Sequence, residues 1–200
     1  MALTHYTSVV YVVSFKSLNT FRHSCSTINI NVKNSSIIIE ISDITLSTSD
    51  CIVNAANRTL LGGGGVDGAI HRAAGRELLL ECRMLNGCHT GEAKITKGYN
   101  LKAKYIIHTV GPIYPHAENP EKDLRNCYLN SLNLAKDNNI HSIDFPAISC
   151  GAYGYPIDEA TTIAYNTISE WLNNNETYPI QVTLSCFNNE IYDAYSKIIE

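Results

Sequence analysis

The chain reads as an α/β protein with three layers, a central mixed or largely parallel sheet covered by helices on both faces. Two observations predict this. Short β-branched runs alternate with longer segments of helical periodicity over most of the 200 residues, the pattern of crossover units. Right-handed crossovers then place helices on both sides of the sheet. In addition, two strand-like runs end in glycine-bearing turns that lead into helices. The length suits one domain with a real core.

Along the chain, 36–41 is a β-branched strand and 51–55 a short apolar one. A helix is expected over 67–85, with Ile70, Ala73, Ala74, Leu78 and Leu79 on one stripe. Residues 93–96 and 105–110 read as strands. A helix follows over 120–138, with Leu124, Tyr128, Leu132 and Ala135 at helical spacing. Then come a strand at 141–148, a helix at 157–172, a strand at 180–187 and a closing helix at 190–199. The run 8–15 resembles an edge strand. Residues 1–39 carry Lys16, Arg22 and Lys33, many Ser and Thr, and no acidic residue before Glu40. That composition also suits a mitochondrial transit segment. The strand reading is preferred, and with it a cytoplasmic location. The domain is expected over 28–200, with 1–27 as an extension of unassigned role.

Composition narrows the function. The apolar fraction is 44% and the charged fraction 17%, and the formal charge is −4. An acidic chain has no general attraction for a polyanion, so a nucleic-acid groove is disfavoured and any phosphate must be held by local donors. Seven cysteines without a CxxC pair read as reduced thiols. Cys88-His89 lacks a second ligand pair at zinc spacing, so no metal is expected. No apolar run approaches the roughly 20 residues that cross a bilayer.

The first chemistry-bearing segment runs from Val53 through Asn54, Ala55, Ala56 and Asn57 to four consecutive glycines, Gly62, Gly63, Gly64 and Gly65. It continues as Val66-Asp67-Gly68-Ala69-Ile70-His71. Four glycines are costly in chain entropy. They make sense where the backbone must press on a ligand and turn its N–H groups toward an anion at a helix start. A floppy surface loop explains the glycines but not Asn54, Asn57 or Asp67. No Gly-Lys-Ser/Thr follows, so this is no Walker loop. No acidic residue ends the next strand, as a dinucleotide fingerprint would require.

The second segment is Asp144-Phe145-Pro146-Ala147-Ile148-Ser149-Cys150-Gly151-Ala152-Tyr153-Gly154-Tyr155-Pro156. It is again a strand, a turn and a helix, with Pro156 near the first helical position. Two such turns at the carboxyl edge of one sheet would face each other over a crevice. Tyr153 suits either a sugar contact or a loop anchor. Asp43, after the first apolar strand, suits an exocyclic amine or a helix cap.

These stretches resemble the macrodomain family, in its MacroD-type branch. The resemblance covers Asp43-Ile44-Thr45, residues 52–57, 62–75 and 81–83, Asn86-Gly87-Cys88, 90–99, 103–112 and 145–156. It implies a three-layer fold that binds ADP-ribose. It further implies removal of ADP-ribose from acidic side chains of mono-ADP-ribosylated proteins, and deacetylation of O-acetyl-ADP-ribose, by a monomer without metal or redox cofactor. By the same resemblance Asp43 takes the adenine amine with the Ile44 backbone. The Gly65-Val66-Asp67 turn and Ser149, Cys150, Gly151, Ala152 and Tyr153 wrap the diphosphate and distal ribose, and Asn54, Ala56, Gly63, Gly64 and His71 are expected among the ligand-binding residues. Asn57 holds that ribose, Asp67 is the catalytic carboxylate, and Phe187 walls the adenine or packs in the core.

Ser42, Cys150 and Ala152 depart from the usual residues. Cys150 is expected near a helix N-terminus that would favour its thiolate and its oxidation. Asp67, in a first helical turn, is expected to have a lowered pKa and to be a weak base. His71, four residues on, shares its face and suits either orienting the carboxylate or a structural role. His108, ending a buried strand, reads as structural. Two other readings are a non-catalytic ADP-ribose reader and a serine hydrolase. For the latter, 147–151 falls one residue short of GxSxG, and no histidine follows Ser149.

Overall fold

The computed structural model describes residues 12–14 and 27–199. Eight strands form one sheet in the order β1-β2-β3-β8-β7-β4-β6-β5. They are β1 (Val12–Ser14), β2 (Thr27–Val32), β3 (Ser35–Ile41), β4 (Cys51–Ala55), β5 (Ala93–Lys97), β6 (Tyr105–Thr109), β7 (Ser142–Phe145) and β8 (Gln181–Cys186). β3, β8, β7, β4 and β6 run parallel, while β1, β2 and β5 pair antiparallel at the two sides. The sheet is mixed and the fold is three-layered, as the sequence predicts. β1 is its outermost strand, within the run read as an edge strand. The rest of that run, and the transit-like segment apart from 12–14 and 27–39, lie outside the described residues.

Alternate residues of the central strands supply two separate cores, as a sheet covered on both faces requires. Ile52 and Ile106 face α1 (Gly65–Ala74) and α2 (Arg76–Met84), meeting Ile70, Ala74, Leu78 and Cys82. Val53, Ile107, Ile143, Phe145, Val182 and Leu184 face α3 (Pro120–Asp137), α4 (Ile157–Asn174) and α5 (Asn189–Ile199). Here Tyr128, Trp171 and Tyr195 fill the larger volume.

The expected single helix over 67–85 is two helices. Gly75 stands between them at φ 91, a left-handed conformation that ends α1. A side chain there would also meet Asn100 Nδ2 at 2.6 Å. The break re-aims the second segment: Ile70, Ala74 and Leu78 stay buried, while Ala73 is exposed and Leu79 only half-buried. β2 is a strand the sequence reading passed over. It joins β3 through the two-residue turn Lys33-Asn34, with Lys33 at φ 56. The strand expected over 141–148 stops at Phe145, and Pro146, without an N–H, cannot extend its ladder.

Candidate functional site

Because five strands run parallel, their carboxyl ends lie along one edge of the sheet. Asp43 follows β3, Phe187 follows β8, Ser149 follows β7, Asn57 follows β4 and Gly111 follows β6. β4 and β7 are neighbours whose chains depart in opposite directions, β4 toward β6 and β7 toward β8. This is the topological switch point, where open sheets leave a crevice. The two glycine-bearing turns flank it.

The first turn is not a loose loop. Leu60 is fully buried at φ 61 and its N–H donates to the Asn57 carbonyl. Asn57 Oδ1 accepts from the Thr59 N–H (2.9 Å) and hydroxyl (2.6 Å). Asn57 Nδ2 donates to the Gly62 carbonyl (2.8 Å) and reaches Asp67 Oδ2 at 3.3 Å. Asn54 Nδ2, fully buried, donates to Asp67 Oδ1 at 2.7 Å. His71 Nε2 stands 3.5 Å from the same oxygen, short of a hydrogen bond, and has no other partner.

Asp67 is therefore a buried carboxylate, 4% exposed, held by Asn54 and Asn57 with His71 nearby. A side chain at Gly63 would meet Asp67 Oδ2 at 3.1 Å, so that oxygen lies directly beneath the glycine turn. α1 opens at Gly64 without a capping side chain, leaving its first-turn N–H groups for a ligand. Gly63, Gly64 and Gly65 are exposed and Val66 is half-buried.

Burial raises the Asp67 pKa above the ordinary aspartate value, with the Asn54 hydrogen bond and His71 opposing. The expected lowering is thereby corrected: removing the carboxylate from water outweighs the helix-terminus field. Asp67 is a better proton acceptor than a solvated aspartate.

The second turn is held by backbone. Tyr155 N–H donates to the Ser149 carbonyl (3.0 Å), Gly154 to Gly151 (2.9 Å) and Tyr114 to Tyr153 (2.9 Å). Ser149 takes φ 64, and its buried hydroxyl has no hydrogen-bond partner. Gly151 and Ala152 are exposed and Tyr153 is half-buried. Cys150 departs from expectation. α4 begins only at Ile157, too far to stabilise a thiolate. The Sγ donates to the Ile148 carbonyl (3.6 Å), and burial pushes its pKa up to about 12. Burial thus favours the protonated thiol over the expected thiolate.

The outlying positions are also resolved. Asp43 is exposed and caps a short 3-10 turn, accepting from the Thr45 N–H (2.9 Å) and hydroxyl (2.7 Å). Ile44 packs in the smaller core. Phe187 is 88% exposed at the end of β8, so core packing is not its role. Ala56 is buried, and its N–H donates to the Thr109 carbonyl. It ties the turn to β6 and offers no donor to the crevice.

The sequence reading missed the segment after β6. Beside Asn57 a cleft of about 820 Å3 opens, lined by Thr90, residues 110–113, His116 and Tyr153 among others. A side chain at Gly111 would collide with Ser149 Oγ, so the third turn packs against the second. The carboxyl-edge rule that selected the other turns points equally to this one.

Among the described residues one group has metal-ligand composition, His71, Cys82 and His108, with ligand atoms within 4.8 Å of one another. Both ring nitrogens of His108 are engaged, Nδ1 by Asn54 (3.1 Å) and Nε2 by Thr96 (2.9 Å). Within the group His108 is satisfied by protein groups, whereas His71 Nε2 has no hydrogen-bond partner.

The fold and crevice together define an open α/β protein with its site at the switch point, built from strand-to-helix turns. The Macro domain family model matches residues 53–164, more than half of the chain, and the chain belongs to that family. A macro domain-containing protein of Methanosarcina mazei is 57% identical over 162 residues, covering 78% of this chain and 86% of that protein. The human ADP-ribose glycohydrolase MACROD2 is 57% identical over 157 residues, 78% of this chain but 37% of the human protein. Of the solved structures, the Oceanobacillus iheyensis macrodomain with ADP superposes with a TM-score of 0.85. It has 43% identity and covers 88% of this chain and 96% of that one. The Trypanosoma brucei macrodomain in complex with ADP-ribose gives a TM-score of 0.78 at 44% identity, covering 82% and 69%.

Proposed function

We propose that this protein binds ADP-ribose along the carboxyl edge of its sheet and hydrolyses the ester joining the distal ribose to acidic side chains of mono-ADP-ribosylated proteins. Deacetylation of O-acetyl-ADP-ribose follows from the same chemistry. The observation that carries the reading is the buried Asp67 carboxylate, gripped by Asn54 and Asn57 beneath Gly63.

The edge from β3 to β6 spans four strand spacings, about 19 Å, enough for an extended dinucleotide-sized ligand. In this reading adenine sits between Asp43 and Phe187. The diphosphate takes the uncapped N–H groups of α1 and the backbone of 149–153. The distal ribose lies over Asn57 and Asp67, and the 820 Å3 cleft receives the attached group.

Hydrolysis breaks the bond between the sugar carbon and the ester oxygen, or the acyl bond of the acetyl ester. At the acetyl carbon, water displaces the ribose oxygen, which takes up the proton that Asp67 receives from the water; at the sugar carbon, water supplies the hydroxyl and a carboxylate leaves. That leaving group needs little protonation, so one placed water and one acceptor suffice. Asp67 Oδ2 receives the water's proton and aligns the ribose hydroxyls. Asn57, neutral, holds position without adding charge.

The serine-hydrolase reading is disfavoured, because the Ser149 hydroxyl is buried and no base is bonded to it. The comparison with ADP-ribose glycohydrolase MACROD2 supports hydrolysis over a reader. The deciding experiment incubates the protein with glutamate-linked and serine-linked ADP-ribosylated proteins. Release from the first alone is expected. Tight ADP-ribose binding by calorimetry with release from neither would establish a reader module.

A further inference from the structure

A chain of polar groups runs across β5, β6 and β4 and ends on Asp67. Asn54 and His108 are register partners on β4 and β6, and both are fully buried. Asn54 Nδ2 lies 2.7 Å from Asp67 Oδ1 and 3.1 Å from His108 Nδ1. His108 Nε2 lies 2.9 Å from Thr96 Oγ1, which donates to the Lys97 carbonyl at 3.2 Å.

The protons can be placed one by one. The Thr96 hydroxyl has a single proton; given to the Lys97 carbonyl, it leaves the oxygen to accept from the ring, and Cys82 Sγ, 3.8 Å from the same Nε2, accepts there as well. Nε2 therefore carries the N–H, and in a neutral imidazole Nδ1 then presents its lone pair. Only an N–H of Asn54 satisfies that lone pair, and the second amide proton then points at Asp67. Asn54 Oδ1 has no partner, so nothing on that side decides which way the amide faces. Reversed, it would set a carbonyl oxygen against the carboxylate at hydrogen-bond distance.

We propose that His108 is a positioning residue for hydrolysis: by fixing the Asn54 amide it keeps an N–H donor on Asp67, holding the carboxylate ionised and aimed at the crevice. The inference rests on the role given to Asp67 under the proposed function. Burial pushes the His108 pKa down to about 3, so the ring stays neutral and the tautomer holds through the working range. The titratable groups facing Asp67 are His71 on α1 and Cys82 on α2, with His108 on β6 behind Asn54.

The test compares wild type with His108→Leu, His108→Gln and Thr96→Val. In His108→Leu the lost acceptor should lower kcat about tenfold to a hundredfold, with KM and ADP-ribose affinity within twofold. The Asp67 carboxyl titration, read by carbon-13 NMR, should move upward. His108→Gln, whose amide oxygen can accept from Asn54, should recover most of kcat. Thr96→Val keeps the ring and nearly the volume but frees the tautomer, and should show a smaller loss in the same direction.

An Asp67 titration unchanged in both His108→Leu and Thr96→Val overturns the proposal. So does a parallel fall of kcat and ADP-ribose affinity with Gln no better than Leu, the mark of a purely structural role. If His108→Leu does not fold, the other two variants decide by the same criteria. A wild-type protein that releases no ADP-ribose refutes the hydrolase reading instead, and the Asp67 titration still judges the network.

Discussion

The turns after β4 and after β7 look alike in sequence and are built differently. In the first, side chains do the holding: buried Asn54 and Asp67 and half-buried Asn57 form one hydrogen-bonded unit, with glycine above to leave it uncovered. In the second, main-chain bonds close the loop, while Gly151 and Ala152 lie open to solvent. A network of side chains fixes charge and direction, as chemistry requires. A backbone cradle supplies only donors and shape, as binding requires. The contrast suggests a division of labour between two turns that share a ligand.

Substitutions can break that division. The largest effect is expected from Asp67→Ala. Hydrolysis should fall about 10²- to 10⁴-fold while calorimetry still registers ADP-ribose, because the second turn is untouched. Equal turnover by the two proteins would refute the assignment.

Next is acid stability, a property of the first turn's support. The folded His108 pKa is depressed to about 3 from 6.5, so between those values the unfolded chain binds a proton that the folded one does not. Its contribution is complete above about pH 6.5 and is lost as pH falls toward 3, by up to about 1.4 kcal/mol per unit. Denaturant melts over that range should show a shallower slope in His108→Gln.

Gly111→Ala strikes the second turn instead. Its Cβ would press on Ser149 Oγ and on Ile148, at a cost of about 1–3 kcal/mol. A Ser149→Gly partner should recover part of it, and additive losses in the double variant would show that the two positions are not coupled. Asn57→Ala should reduce kcat about tenfold, since its reach to Asp67 is long at 3.3 Å and Asn54 remains. Smallest of all, Cys150→Ser should change turnover by no more than about twofold, with peroxide equally ineffective on the wild type, as a thiol at pKa about 12 implies.

The alternation of strands and helices and the two glycine turns were legible in the sequence because each rests on local pattern. Gly75 was not. A lone glycine inside continuous helical periodicity is tolerated at about 1 kcal/mol, so nothing local distinguishes one helix from two. The Asp67 pKa was misread for a different reason. Its place in a first turn is visible in sequence, but its burial against β4 is not, and burial dominates. Cys150 failed similarly, since six residues lie between it and the helix it was thought to adjoin. The cleft after β6 needed strand order, which places Gly111 beside Asn57 although they are far apart in sequence.

The contact between Gly111 and Ser149 has an evolutionary corollary. Each position limits what the other can become, because a methyl at 111 and a hydroxyl at 149 compete for one volume. Descendants of this chain that acquire bulk at the first site should have shed it at the second. Mutational paths through this corner of the molecule are then ordered rather than free.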